Sequence, residues 1–189
     1  MLSGRAVGAV AVAAFLGLLD SGCSSPAPSK PAAHAVSATT NTTPSPSTTL
    51  DAQGQAALVS YRAMWADLAA VADSGNYQQA RLGDHMTGKL FVDSSQNLFL
   101  SEQRGMVGRG EPVLLRPQVK SEDLTADPPV ITIADCLDER GFLLYYVATG
   151  KPVDNDPGGL QAATTQMTLV NGVWKGSSEY LGAEGSCSG

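Results

Sequence analysis

The chain has 189 residues, 43% of them hydrophobic and 16% charged, which is enough for one domain with a real core but not for two of ordinary size. Its formal net charge is -6, and its 12 Lys and Arg residues form no run. Nothing in it therefore attracts a phosphate backbone electrostatically, and nucleic-acid binding is excluded as a reading.

Met1 to Arg5 supplies one positive charge, and Ala6 to Leu19 is a run of 14 residues that are apolar or glycine. This layout predicts a secretory signal peptide over residues 1–22. The run is too short for a stable membrane span, which wants roughly 20 apolar residues, and no basic stop-transfer cluster follows it. Residues 18–23, "LLDSGC", resemble the lipobox of bacterial lipoproteins, with Ser21, Gly22 and Cys23 in the expected places and Asp20 where that family carries an aliphatic residue. The resemblance implies lipid transfer to the Cys23 thiol and cleavage just before it. The expected localisation is then extracytoplasmic, with the membrane as a partner through a lipid anchor. If Asp20 defeats the lipobox, the product is secreted. Two or three acyl chains, each buried CH₂ contributing about 0.8 kcal/mol, would hold durably where a single chain would not.

From Ser24 to Thr49, 17 of 26 residues are Ser, Thr or Pro, and Val36 is the one sizeable aliphatic side chain. Such a segment cannot bury enough apolar surface to offset its ordering entropy, so residues 23–49 read as the lipidated Cys and a disordered tether. Stretched into polyproline II it would reach about 80 Å. A single α+β domain is expected over residues 50–189.

Within that domain, Thr48-Thr49-Leu50-Asp51 has the form of a capping box. Apolar residues then recur at Ala57, Leu58, Tyr61, Met64, Trp65, Leu68, Val71 and Ala72, the spacing of one helical face. Ser74-Gly75 supplies the stop. A helical turn is expected around Tyr77 to Leu82. A second long helix is expected from about Thr87 to Arg104, with Leu90, Phe91, Leu98 and Phe99 or Leu100 inward. After Gly105 the texture changes to β-branched and apolar residues between Pro, Gly and Asp clusters. Strands are expected at Val113 to Asp123, Val130 to Leu137, Phe142 to Ala148, Gln161 to Val170 and Val173 to Tyr180. "GRGEP" at 108–112 reads as a bend entering the sheet. Asn171-Gly172 is a two-residue hairpin turn that places Leu169 opposite Trp174. Helices first and consecutive hairpin strands afterwards predict N-terminal helices packed on a curved antiparallel sheet of about five strands.

Two cysteines remain once Cys23 is set aside, and in an exported chain Cys136 and Cys187 are expected to form a disulfide. The domain's one histidine, His85, has no G-x-S-x-G elbow to accompany it and reads as a capping or surface residue. No cofactor and no metal site is expected, because one His without C-x-x-C or H-x-x-x-H gives no zinc set. "DNDPGG" at 154–159 fails the EF-hand pattern, with Gly158 fifth and Thr165 twelfth, and reads as a polar loop between strands.

"YRAMWADLAAVADSGNY", "RGMVGRGEPV", "ITIADCLDE", "DNDPGG" and "GVWKGSSEYLGAEGSC" together resemble small secreted lipoproteins of actinobacteria. The domain of that family is similar to the cone-shaped fold of nuclear transport factor two and ketosteroid isomerase. The resemblance covers roughly residues 55–187. It implies a cone-like α+β fold without an assigned activity, and an Asp-Cys pair in the sheet with a terminal Cys, matched by Asp135, Cys136 and Cys187. A cone encloses a cleft between its long helix and its sheet. Tyr61, Trp65, Asp135 and Tyr145 or Tyr146 are the candidate lining residues, with no residue assigned a catalytic role. The leading expectation is a non-enzymatic domain binding a small apolar ligand or an envelope protein. One alternative is a pocket enzyme of the isomerase or dehydratase type, with Asp135 as base. The other is an accessory subunit of a membrane complex, for which an apolar patch on the outer sheet face is expected.

Overall fold

The computed structural model describes residues 51–154 and 158–189. The expected signal peptide, Cys23 and all of the tether lie outside the described residues, as do positions 155–157 of the "DNDPGG" loop. The described chain is an α+β domain. Three helices, α1 (Ala52–Ser74), α2 (Leu82–His85) and α3 (Gly88–Gln103), precede seven strands, β1 (Met106–Arg109), β2 (Val113–Leu114), β3 (Gln118–Asp123), β4 (Val130–Asp138), β5 (Leu143–Tyr146), β6 (Leu160–Val170) and β7 (Val173–Glu184).

Helix α1 carries the predicted stripe. Ala57, Leu58, Tyr61, Met64, Trp65, Val71 and Ala72 are all buried, and Leu68 is half-buried against the same core. Its cap is Asp51 rather than the expected capping box. The Asp51 carboxylate accepts from the Gly54 backbone N–H at 2.8 Å, three residues into the turn, satisfying one of the helix's orphan donors. Gly75 ends it in the left-handed conformation (φ 66°), as the Ser-Gly stop implies. The helical turn expected around Tyr77 to Leu82 forms one step later, as α2. In α3, Leu90 and Leu98 face the core, while Phe91, Phe99 and Leu100 stay on the surface. The sequence could not rank them, because the core accepts a stripe narrower than the apolar set available.

The main sheet has the order β2-β4-β6-β7, with β3 also on the β2 edge of β4. All pairings are antiparallel, and register shifts at Val119/Ser121, Gln161/Ala163 and Gln166/Met167 bend the strands. The single strand expected over 113–123 is two, because Pro117 cannot donate to the ladder and the Leu115–Pro117 segment leaves the edge. The strand expected over 142–148 exists as β5 but lies outside the main sheet. It pairs with β1, a strand that overlaps the stretch read as a bend at Gly108 and Arg109, in a separate two-stranded ribbon. The pattern misses β1 because its third residue is Gly108, where a Cβ would come within 2.7 Å of Ala72 Cβ. Glycine there lets the ribbon lie against α1. At the other end of the domain, the turn at Asn171 and Gly172 takes positive φ at both positions (51° and 80°) and sets Leu169 opposite Trp174, as expected.

Side chains alternate across the sheet. Ile131, Ile133 and Leu137 of β4, Ala163 and Met167 of β6, and Trp174 of β7 point inward and meet the α1 stripe together with Leu82, Met86 and Leu90. Each such large side chain contributes roughly 1.5–3 kcal/mol by leaving water. Glycine is again required where the layers come closest, since a Cβ on Gly176 would collide with Met64 Sδ and Leu90 Cδ2. The disulfide expected from the cysteine count joins Cys136 to Cys187, with Cα atoms 5.9 Å apart. It fastens the C-terminal tail to the outer side of β4.

Candidate functional site

Three of the four predicted lining residues meet at the helix–sheet interface, and they fill it. Tyr61 is 0% exposed and Trp65 5%, so the expected cleft is occupied by their rings where they cross the sheet. Tyr61 Oη donates to Asp135 Oδ2 at 3.4 Å, a long bond. The other carboxylate oxygen, Oδ1, accepts the backbone N–H of Arg116 at 2.8 Å and that of Cys136 at 2.7 Å. Asp135 thus holds the chain where β2 breaks from β3 and where the disulfide begins. The fourth residue, Tyr145, is elsewhere: it lies in β5 opposite Val107, and Tyr146 pairs with Met106.

Burial raises the Asp135 pKa above the usual carboxylate range, against the pull of the Arg116 and Cys136 amides and the Tyr61 hydroxyl. Burial also pushes the Tyr61 phenol up, and the neighbouring Asp135 charge adds to it. Deeper along the same inner face lies a pair that the sequence did not single out. Thr165 Oγ1 donates to Glu179 Oε1 at 2.7 Å, and burial lifts the Glu179 pKa to about 7, with Glu139 raising it further and the Thr165 hydroxyl opposing. Glu139, itself raised by burial and by Glu184, accepts from Gln161 Nε2 at 2.8 Å. The strand alternation that puts Ile133 and Met167 inward also puts Thr165 and Glu179 inward. That period was the only signal for them, and it was masked because both are polar. Among the described residues, the buried Trp65 indole N–H meets no acceptor in good hydrogen-bonding geometry.

His85 ends α2 and its Nδ1 lies 2.6 Å from Asp67 Oδ2, while Arg81 Nε reaches Asp67 Oδ1 at 2.5 Å. Asp67 is a buried carboxylate in the middle of α1. The group joins two helices, and it adds a buried partner to the capping or surface role expected for His85. Among the described residues no cluster of three His, Cys, Asp or Glu side chains could hold a metal ion.

Grooves remain on the surface. One of about 280 Å³ runs beside the edge of Trp65, lined by Arg62, Ala66, Glu111, Pro112 and Leu114. Another, about 340 Å³, lies between α2 and α3 at Tyr77, Leu82, Gly83 and Phe91. A third, of about 410 Å³, is lined by Arg116, Gln118, Ala134, Asp135 and the two bonded cysteines. Gln118, Ala134 and Cys136 all belong to the outer side of the sheet, so this groove opens away from the helices. The middle of the outer side is polar, with Thr132, Thr164, Gln166, Thr168 and Ser178, while the exposed side chains of Val113, Val173 and Tyr180 lie around it.

No protein-family model matches the chain, and no curated protein matches it. Among solved structures, the crystal structure of the intermembrane space region of chloroplast protein ARC6 is 16% identical and covers 71% of this chain and 98% of that chain, with a TM-score of 0.49. At that level of likeness no function passes from one chain to the other.

Proposed function

We propose that this chain is an envelope lipoprotein of the small secreted actinobacterial type, anchored by lipid on Cys23, whose α+β domain is a non-enzymatic binding module. The observation that supports binding over catalysis is the filling of the helix–sheet interface. Tyr61 and Trp65 occupy the space a substrate would need, and Asp135, the candidate base, spends one oxygen on two backbone N–H groups. What stays open to a partner is the surface, where the grooves lie. The anchor and tether reading rests on "LLDSGC" and the Ser/Thr/Pro-rich segment after it.

Intact mass of the membrane fraction from an exporting actinobacterial host tests the anchor. The wild-type chain should be cleaved before Cys23 and shifted by its lipid, and Cys23→Ala should lose the shift. A soluble, unlipidated wild-type chain would overturn the anchor. Turnover of a ketone or hydroxy-acid substrate abolished by Asp135→Asn in a folded protein would overturn the non-enzymatic reading.

A further inference from the structure

The outer side of the main sheet is built in registered rows. Ser121, Thr132, Gln166 and Ser178 lie side by side across four strands. The next row is Gln118, Ala134, Thr164 and Tyr180. With strands about 4.8 Å apart, each row spans about 14 Å, wider than one sugar ring. None of these side chains carries a charge, although the chain as a whole stands at -6. No described helix packs on them, since the helices meet the inner face.

The polar groups are arranged rather than scattered. Ser178 Oγ donates to Gln166 Oε1 at 3.0 Å, which fixes that amide and leaves its N–H₂ directed to no protein acceptor among the described residues. Thr132 and Thr164 present hydroxyls of both donor and acceptor character. At the end of its row, Tyr180 is 72% exposed, a large aromatic ring held on a rigid strand in water. The 410 Å³ groove at Gln118, Ala134 and the disulfide continues the second row, with Arg116, bonded to the Ser188 carbonyl, at its side.

The two rows offer no counter-charge, and the cations nearest them are engaged, Arg116 with the Ser188 carbonyl and Lys175 with the Gly83 carbonyl, so the face favours a neutral ligand over a charged one. Such a ligand must offer many hydrogen-bonding groups in a plane, and it must carry an apolar face for the Tyr180 ring, whose stacking costs little conformational entropy. Carbohydrate meets all three conditions, with hydroxyls around the rim of each ring and C–H bonds on its face. We propose that the outer sheet face, from Tyr180 through Thr164 and Gln166 to the groove at Gln118, is a binding surface for a neutral oligosaccharide. This rests on the binding-module reading and gives it a ligand class.

The test is a solid-phase array of neutral hexasaccharides (α- and β-glucan, galactan, mannan and arabinan), probed with the full chain extracted in mild detergent. At least one glycan should be retained. Tyr180→Ala should weaken it at least tenfold and Gln166→Ala about three- to tenfold, while Val92→Ser on α3 should leave it unchanged; far-UV circular dichroism would show each variant folded. Failure to retain any glycan of the array overturns the proposal, as does retention that survives Tyr180→Ala. If glycan binding is absent but the membrane-fraction mass still shows lipid on Cys23, the ligand class alone falls. If retention is lost on Phe91→Ser and kept on Tyr180→Ala, this face falls and the binding module stands.

Discussion

The carboxylate of Asp67 lies 2.6 Å from Nδ1 of His85, and through that contact the middle of α1 holds the end of α2. Arg81 takes the other carboxylate oxygen at 2.5 Å from the rim, its side chain 55% exposed. A buried carboxylate stripped of its partners costs far more than an exposed pair contributes. Asp67→Ala removes the charge with its bonds. His85→Ala leaves Asp67 with Arg81 alone. We expect Asp67→Ala to destabilise the domain by about 2–3 kcal/mol and His85→Ala by about 1 kcal/mol, read from urea midpoints at constant m-value.

Glu179 costs the domain stability at neutral pH. Its carboxyl titrates near 7 in the folded protein and near 4.5 when unfolded. Between those values the native state binds more protons than the unfolded state, so stability falls as pH rises. The loss begins above pH 4.5 and is complete about one pH unit above 7, roughly 3 kcal/mol for a pKa raised from 4.5 to about 7. Asp135 and Glu139 are raised as well and act in the same direction. Glu179→Gln keeps an oxygen to accept from Thr165 and removes the titration. Thermal unfolding from pH 5 to pH 8 should show a falling midpoint in the wild type and a markedly flatter one in the variant, with the variant more stable at pH 8.

Reduction of the Cys136–Cys187 bond opens a loop with a sequence separation of 51. In the chain-entropy picture that closure contributes about 4 kcal/mol. The paired variant Cys136→Ala/Cys187→Ala should lose stability of that order. Limited proteolysis should then cut within residues 185–189 first, since the tail would keep only bonds such as Ala162 N–H to Ser186 Oγ and Arg116 Nη2 to the Ser188 carbonyl.

Gly176 is the point where two helices and a strand converge. Gly176→Ala would force Met64 and Leu90 apart, and overpacking of this kind costs about 1–3 kcal/mol. Gly172→Ala, in the hairpin turn where a Cβ meets no atom within 4 Å, would be strained by its φ of 80° but would push on nothing. Near-ultraviolet circular dichroism at the Trp65 and Trp174 bands should weaken in Gly176→Ala and stay intact in Gly172→Ala, and the unfolding free energy should fall further in the former.

Most of the architecture was readable in periods. Seven buried apolar positions of α1, the Asn-Gly hairpin with Leu169 against Trp174, and the extents of β4 and β6 to within one residue follow from the 3.6- and 2-residue repeats with turn residues between them, while β7 runs four residues past its expected end, to Glu184. Short elements escaped because they carry too few residues to show a period. In β1 a glycine stands where packing against α1 allows no side chain, and in the 113–123 stretch a proline interrupts what otherwise looks like one strand. The site was legible in part. Tyr61, Trp65 and Asp135 do converge, but whether they line a space or fill it depends on how close α1 comes to the sheet, and Gly176 sets that distance. Asp67 and Glu179 were invisible for another reason. A buried carboxylate in a helix or strand looks like any surface acid until its partners, 14 and 18 residues away for Asp67 and 14 for Glu179, are brought beside it.

The break that Pro117 introduces between β2 and β3 also bears on self-association. A long, flat, free edge on the outer strand would offer its backbone to the edge of a second copy. Here that edge is cut into segments of two and six residues, twisted at the Val119/Ser121 register shift, and studded with Lys120, Glu122 and Asp123. Such an edge resists strand-by-strand polymerisation. This side of the sheet is therefore a poor template for fibril growth.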